Sequence, residues 1–218
     1  RTIDGIKAVF KLKNDKAEKP DMYLGAVVQE VEAGSGAKCW TLSSEKYVEA
    51  ALKNVEAKLK ADGEMLPSRC ETPFTSAYHP AEDVTPELLA DGVQYYQELI
   101  GVLRWAVEIG RVDILLEVAL LSTHLALPRE GHLQQVYHIF GYLKKSPRRR
   151  IFLDPTHPDI SEDRFTKFDW EDFYRDAEEA IPGDMPEPRG NPMSTHTFVD
   201  ANHGADKVTR RSQTGILL

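Results

Sequence analysis

The sequence predicts an α+β fold, built from a β-hairpin, a helical bundle, an acidic segment and a second pair of short strands. Three observations carry that reading. Two short runs rich in β-branched and aromatic residues flank Gly34-Ser35-Gly36. Apolar residues then recur at helical spacing between Tyr47 and Leu143. Beyond Met193 strand-like runs return at 195–199 and 215–218, separated by a polar turn.

The first run, 22–32 (MYLGAVVQEVE), pairs with 39–42 (CWTL) about the glycine turn as a hairpin. Ser43 or Ser44 then caps a helix whose first turn holds Glu45, where an acid complements the positive end of the helix dipole. Tyr47, Val48, Ala51, Leu52, Val55 and Leu59 form its apolar face, and Asp62-Gly63 stops it. Residues 66–80 read as a loop with three prolines. Thr85-Pro86-Glu87 predicts the next helix start, because the hydroxyl caps and proline fits the first helical position. That helix places Tyr96, Ile100, Leu103 and Val107 on one face and ends near Gly110. Residues 112–127 are nearly all apolar, broken by Asp113, Glu117 and Ser122-Thr123-His124. They predict one buried helix, shorter than the ~20 residues that span a bilayer. Pro128 opens a last helix, with Leu133, Val136, Tyr137, Phe140 and Leu143 on one face, ending at Ser146-Pro147.

The formal charge of −8 is not spread evenly. Residues 154–193 hold twelve acids and four bases, which leaves twenty-three of each elsewhere. The chain is a neutral body carrying one acidic insert, so the charge does not exclude a nucleic-acid partner. Six prolines punctuate the insert, yet Trp170, Phe173, Tyr174, Ala177 and Ile181 keep helical spacing with acids opposite. This amphipathic stripe either docks on the body as a brace or binds a partner. The two cysteines, Cys39 and Cys70, are too few for a disulfide framework and fit packing roles in a reduced compartment, cytoplasm or nucleus. Arg1 stands where an initiator Met would, and the start reads as cut from something longer.

Six ordered segments share one resemblance. Tyr23-Leu24-Gly25 resembles an FLG or YLG element, Ser44-Glu45-Lys46-Tyr47 an SQKKY-like helix start, and Glu71-Thr72-Pro73-Phe74 a DTPM-like loop. Residues 96–103 with Arg111-Val112-Asp113-Ile114 resemble YQRLVGKLxYL…RPDI. Residues 132–147 (HLQQVYHIFGYLKKSP) resemble HxxAVxRILRYLKGTP, and 198–202 with 210–215 resemble TDADWAG…RRSTTG. Their order and spacing are similar to those of copia-type LTR-retrotransposon Pol polyproteins, from the end of the reverse transcriptase into the start of RNase H.

That resemblance implies an end of the palm with a primer-grip hairpin over 1–42 and a thumb-like helical region over 43–153. A linker over 154–193, longer than the family's usual one, and the truncated opening strands of an RNase H-like domain over 194–218 complete it. It implies that Tyr23, Leu24 and Gly25 form a tight backbone turn holding the primer end. From the residues alone, Gly25 reads rather as a strand glycine at a bulge. It also implies that Asp200 is the first RNase H carboxylate, a ligand for Mg2+ or Mn2+ in the intact parent. The other reading of Asp200 is an acid at a strand end. Asn202 departs from the family's second acid. Two-metal chemistry needs several converging carboxylates, and no YVDD-like pair precedes the helices. No metal is therefore expected on this chain alone, and no polymerase or nuclease activity.

Lys144, Lys145, Arg148, Arg149 and Arg150 put five cations in seven residues, a candidate contact with the phosphates of an RNA/DNA template–primer. The other reading is a solvated helix end whose cations complement the dipole. The implied partners are that template–primer and the rest of the Pol polyprotein, with no membrane, in a virus-like particle for the parent. The competing class is a domesticated, non-catalytic module that binds nucleic acid or protein. His124, His132 and His138 are spaced too widely for a close zinc pair, with neither cysteine near, and they read with His196 and His203 as packing or surface residues. No nucleophile elbow or phosphate-binding loop of the Walker type occurs.

Overall fold

The computed structural model describes residues 2–11, 18–34, 36–75, 77–153, 182–187, 197–202, 204 and 208–217, with single positions at 173, 175, 177 and 180. The chain is α+β and forms two units, Arg1–Pro155 and Thr156–Leu218. No helix among the described residues is long and apolar enough to cross a membrane.

The first unit contains an antiparallel sheet of β1 (Met22–Tyr23), β2 (Ala26–Glu32), β3 (Lys38–Ser43) and β4 (Arg150–Leu153), in that spatial order. In β3, Cys39, Thr41 and Ser43 are buried while Trp40 and Leu42 are half-buried, the two-residue period of a strand. The predicted hairpin is β2–β3. The run 22–32 is divided by a turn into β1 and β2, and β4 was not predicted. β4 falls on the short run Ile151-Phe152-Leu153 behind three arginines, and pairs with β3 across more than a hundred residues of chain.

Among the described residues five α-helices accompany the sheet: α1 (Thr2–Val9), α2 (Glu45–Ala61), α3 (Ala90–Glu108), α4 (Leu115–Ser122) and α5 (Glu130–Lys145). The stripes of α2 (Val48, Leu52, Val55, Leu59), α3 (Tyr96, Ile100, Leu103) and α5 (Val136, Phe140, Leu143) meet in one core. Each such side chain contributes about 1.5–3 kcal/mol by leaving water. Tyr96 also satisfies its polar end, its hydroxyl donating to the Leu121 carbonyl at 2.8 Å. Ser44 stands at the cap position of α2 without a side-chain cap bond, while the Ser43 hydroxyl accepts from the Glu45 N–H at 3.3 Å. Gly63, at φ 76, ends the turn after α2 as expected. Cys39 and Cys70 are both buried and neither is in a disulfide, in line with packing roles.

Two predicted helices are corrected. Thr85-Pro86-Glu87 does not begin α3, which starts at Ala90 after an extended Leu89. Glu87 instead bridges Arg129, with Leu88 N–H on the Pro128 carbonyl and Glu130 N–H on that of Pro86, both 3.0 Å. The Thr85 hydroxyl does cap a helix, but that helix is α5, where it accepts from the Gly131 N–H at 2.8 Å. A local cap signal cannot say which helix it serves. Residues 112–127 are likewise not one buried helix. A 3-10 turn at Val112–Ile114 leads into the eight-residue α4, and turns follow. The Ser122 and Thr123 hydroxyls donate back to the Val118 and Leu120 carbonyls, at 2.6 and 2.7 Å, and end it. Leu115, Leu116 and Val112 are each more than half exposed.

Of the acidic insert, the stripe from Trp170 to Ile181 lies outside the described residues except at the single positions named. The second unit contains the antiparallel hairpin of β5 (Phe198–Asn202) and β6 (Gln213–Leu217). Both strands sit a few residues from the predicted bounds.

Candidate nucleic-acid interface

The turn between β1 and β2 is built by Leu24 and Gly25, at φ 51 and φ 92, with Tyr23 directly opposite Ala26. Two central residues of positive φ are what a type I′ hairpin turn requires. Gly25 meets this without strain, and a Cβ there would touch nothing within 4 Å. Its role is therefore conformational, not close packing inside the protein. Leu24 takes the left-handed conformation at a cost of about 1–2 kcal/mol. It is also exposed, as are Met22 and Tyr23. A strained turn presenting three large apolar side chains to solvent does not serve its own stability. Replacing Leu24 with Asn, which tolerates this conformation, is expected to raise stability by up to about 1 kcal/mol. A rise in the urea midpoint at unchanged slope is the measurement that checks it.

The basic run divides into two. Lys144 and Lys145 end α5 and pair with Glu56 and Glu71. Arg148 pairs with Glu45 at 3.0 Å and Arg149 with Asp113 at 3.2 Å, while Arg150 begins β4 opposite Ser43. The surface pairs of Lys144, Lys145 and Arg148 contribute little, about 0–1 kcal/mol each.

Strand register brings the two predicted groups together. Met22 faces Val27, Val27 faces Ser43, and Ser43 faces Arg150, so the four form one row across the sheet. Three strand spacings of ~4.8 Å put Met22 and Arg150 ~14 Å apart. Tyr23, Leu24 and Gly25 thus lie at the same end of the sheet as Arg148, Arg149 and Arg150.

Beneath the arginines sits a cluster that sequence reasoning gave no role. Arg111 is wholly buried and grips Asp113 through Nε and Nη2, at 2.8 and 2.9 Å. Its Nη1 donates to the Ser146 carbonyl at 2.9 Å and Nη2 to the Ser146 hydroxyl at 3.2 Å, satisfying the end of α5. The Tyr142 hydroxyl donates to Asp113 Oδ2 at 2.9 Å and accepts from Arg149. Both guanidinium groups lie over the Tyr142 ring, 5.8 and 5.2 Å from its centre. Burial pushes the Asp113 carboxyl up, but hydrogen bonds and charge from Arg111, then Tyr142 and Arg149, outweigh it and hold the group below its ordinary value. Burial first, and then Asp113, push the Tyr142 phenol up. The signal available was an Arg and an Asp two apart after Gly110, and an arginine is ordinarily read as exposed.

The remaining candidates are scattered. Asp200 lies on β5 opposite Gly215, exposed. Among the described residues no three His, Cys, Asp or Glu side chains converge as a metal site. One carboxylate does not fit a two-ion centre, so no catalytic step is derived from it. The separation of histidines from cysteines is corrected: Cys70 Sγ lies 3.6 Å from His138 Nδ1, whose Nε2 is 3.0 Å from the Thr72 carbonyl. His124 and His132 also stack at 4.2 Å. Both ring nitrogens of His132 are occupied, Nδ1 by the Arg129 N–H at 3.0 Å and Nε2 by the Pro80 carbonyl at 3.0 Å, which is a packing role. His196 and His203 fall outside the described residues. Compared with family models, curated proteins and solved structures, the chain matches none.

Proposed function

We propose that this chain is part of a copia-type retrotransposon Pol polyprotein, and that it holds a template–primer rather than carrying out chemistry. The observation that carries the reading is the shared sheet end: an exposed, strained turn and three arginines, read separately from the sequence, lie at the same end, where the row from Met22 to Arg150 spans ~14 Å. That span matches about four nucleotides of one strand at ~3.4 Å each. In the parent, Mg2+ or Mn2+ would act at carboxylates not gathered among the residues described here.

The test is a titration of the purified chain with an RNA/DNA hybrid at several salt concentrations. Each phosphate neutralised contributes a slope of about −0.9 in log K against log salt. Replacing Arg148, Arg149 and Arg150 with Ala is expected to flatten the slope by about two to three. Added Mg2+ and nucleotides extend no primer. Absence of hybrid binding at low salt would sink the reading. It would favour instead a domesticated protein-interaction module, a reading supported by the acids that already pair four of the five cations in the basic run.

A further inference from the structure

We infer that the cleft between the Gly110–Asp113 corner and β4 takes an unpaired nucleotide, stacked on Phe152 with its phosphate against Arg148 and Arg150. The inference rests on the template–primer reading and names which part of the nucleic acid this site receives. The cleft has a volume of about 400 Å³, with Gly110, Val112 and Asp113 on one side and the segment from Arg148 to Phe152 on the other. Small-molecule sites run from about 300 to 1,000 Å³.

Its chemistry is mixed in a specific way. Arg150 and Phe152 are two apart on β4, so they project to the same face, ~7 Å from each other. Among the described residues β4 has a neighbouring strand on one side only, and Phe152 is 56% exposed. Val112, across the cleft, is 57% exposed. An aromatic ring and an aliphatic wall therefore stand open inside a cationic patch. Four guanidinium groups, from Arg111, Arg148, Arg149 and Arg150, face two carboxylates, Asp113 and Glu45, leaving two positive charges. Asp113 does not repel an incoming phosphate strongly, because its oxygens already accept from Arg111, Tyr142 and Arg149.

Cations alone would suit a duplex backbone as well as a single strand. The ring decides between them. A base inside a duplex has both faces covered by its neighbours, so a phenyl group can stack only on a base outside the helix. An arginine and an aromatic on one strand face is the arrangement that binds single strands through backbone charge and base stacking together. The row from Met22 to Arg150 ends at this cleft, so a duplex laid along the row would deliver an overhanging nucleotide into it.

The experiment compares a blunt RNA/DNA hybrid with the same hybrid carrying a short unpaired thymidine overhang, by fluorescence anisotropy on the full chain. The overhang is expected to tighten binding roughly tenfold, the effect of about one stacked base. Phe152→Leu should remove that gain while leaving blunt binding unchanged, and Phe152→Trp should keep or enlarge it. A role of Phe152 in the fold alone would lower blunt and overhang binding together in the leucine variant, and that result overturns the inference. Equal binding of blunt and overhanging hybrids by the unaltered chain also overturns it, while leaving the template–primer reading intact if blunt binding needs the arginines. Displacement of the overhang by a poly-glutamate peptide as readily as by single-stranded DNA of equal charge would assign the cleft to an acidic peptide and overturn it too. No binding of either hybrid brings down both readings.

Discussion

Replacing Arg111 with Met is expected to destabilise the first unit by about 3 kcal/mol, toward the low end of the ~3–5 kcal/mol seen when one partner of a buried ion pair is removed. The guanidinium is wholly buried and makes four bonds, two to Asp113 and two to Ser146. Its loss strands the final carbonyl of the α5 turn and leaves Asp113 to Tyr142 and Arg149 alone. Asp113 retains those partners and is partly exposed, which places the cost at the lower end. A fall in the urea midpoint at unchanged slope is the signature. Changing Asp113 to Leu as well should recover part of the loss, since burying neither charge costs less than burying one. The same cluster fixes an acid dependence. The folded carboxyl titrates below its unfolded value of about 3.9. Its contribution is therefore complete above that value and lost as pH falls through the lower, folded one. In Asp113→Asn the stability profile below about pH 4 should be flatter than in the parent chain.

Gly141→Ala is the second large effect. Gly141 lies within α5, where alanine would ordinarily be favoured by about 1 kcal/mol. Here a Cβ would come within 2.6 Å of both Cys70 Sγ and the Pro67 carbonyl oxygen. The sulfur can shift slightly, but the carbonyl belongs to the backbone, so the loop over 67–70 must move off the helix. Overpacking of this kind costs about 1–3 kcal/mol, and at roughly 2–4 °C per kcal/mol the melting midpoint falls by several degrees. Adding Cys70→Ala should return only the part due to sulfur. Gly101→Ala is the contrast: that glycine is on the exposed side of α3 with nothing within 4 Å. It should gain about 0.5–1 kcal/mol. An equal response at both glycines would contradict the packing account.

Helices α2, α3 and α5 were readable because each carries an apolar stripe at three- and four-residue spacing, and a stripe of that period has one stable use. The β2–β3 hairpin was readable because its turn is local. What failed was everything that depends on a distant partner. Thr85 looks the same whether it caps the helix that follows or one that begins 45 residues later. Residues 112–127 have too little polarity to show a period, so the back-bonding hydroxyls of Ser122 and Thr123 set the helix end unseen. For the candidate site, Tyr23, Leu24, Gly25 and the arginines were each named from the chain. Their alignment was not, because it is written only in the register of β3 against β4. Arg111 was missed because nothing local marks a guanidinium for full burial.

That register also bears on how the chain comes together. Ser43 and Arg150 are 107 positions apart, and every helix of the core lies between them. Closing so long a loop is entropically slow, and contacts of such sequence separation are rewarded late in folding. The seam between β3 and β4 is therefore expected among the late contacts to form, with that between α2 and α5, which spans nearly as much chain. Since Arg150 opens the strand that closes it, a nucleic acid gripped across the row would act as a clasp on this long-range seam.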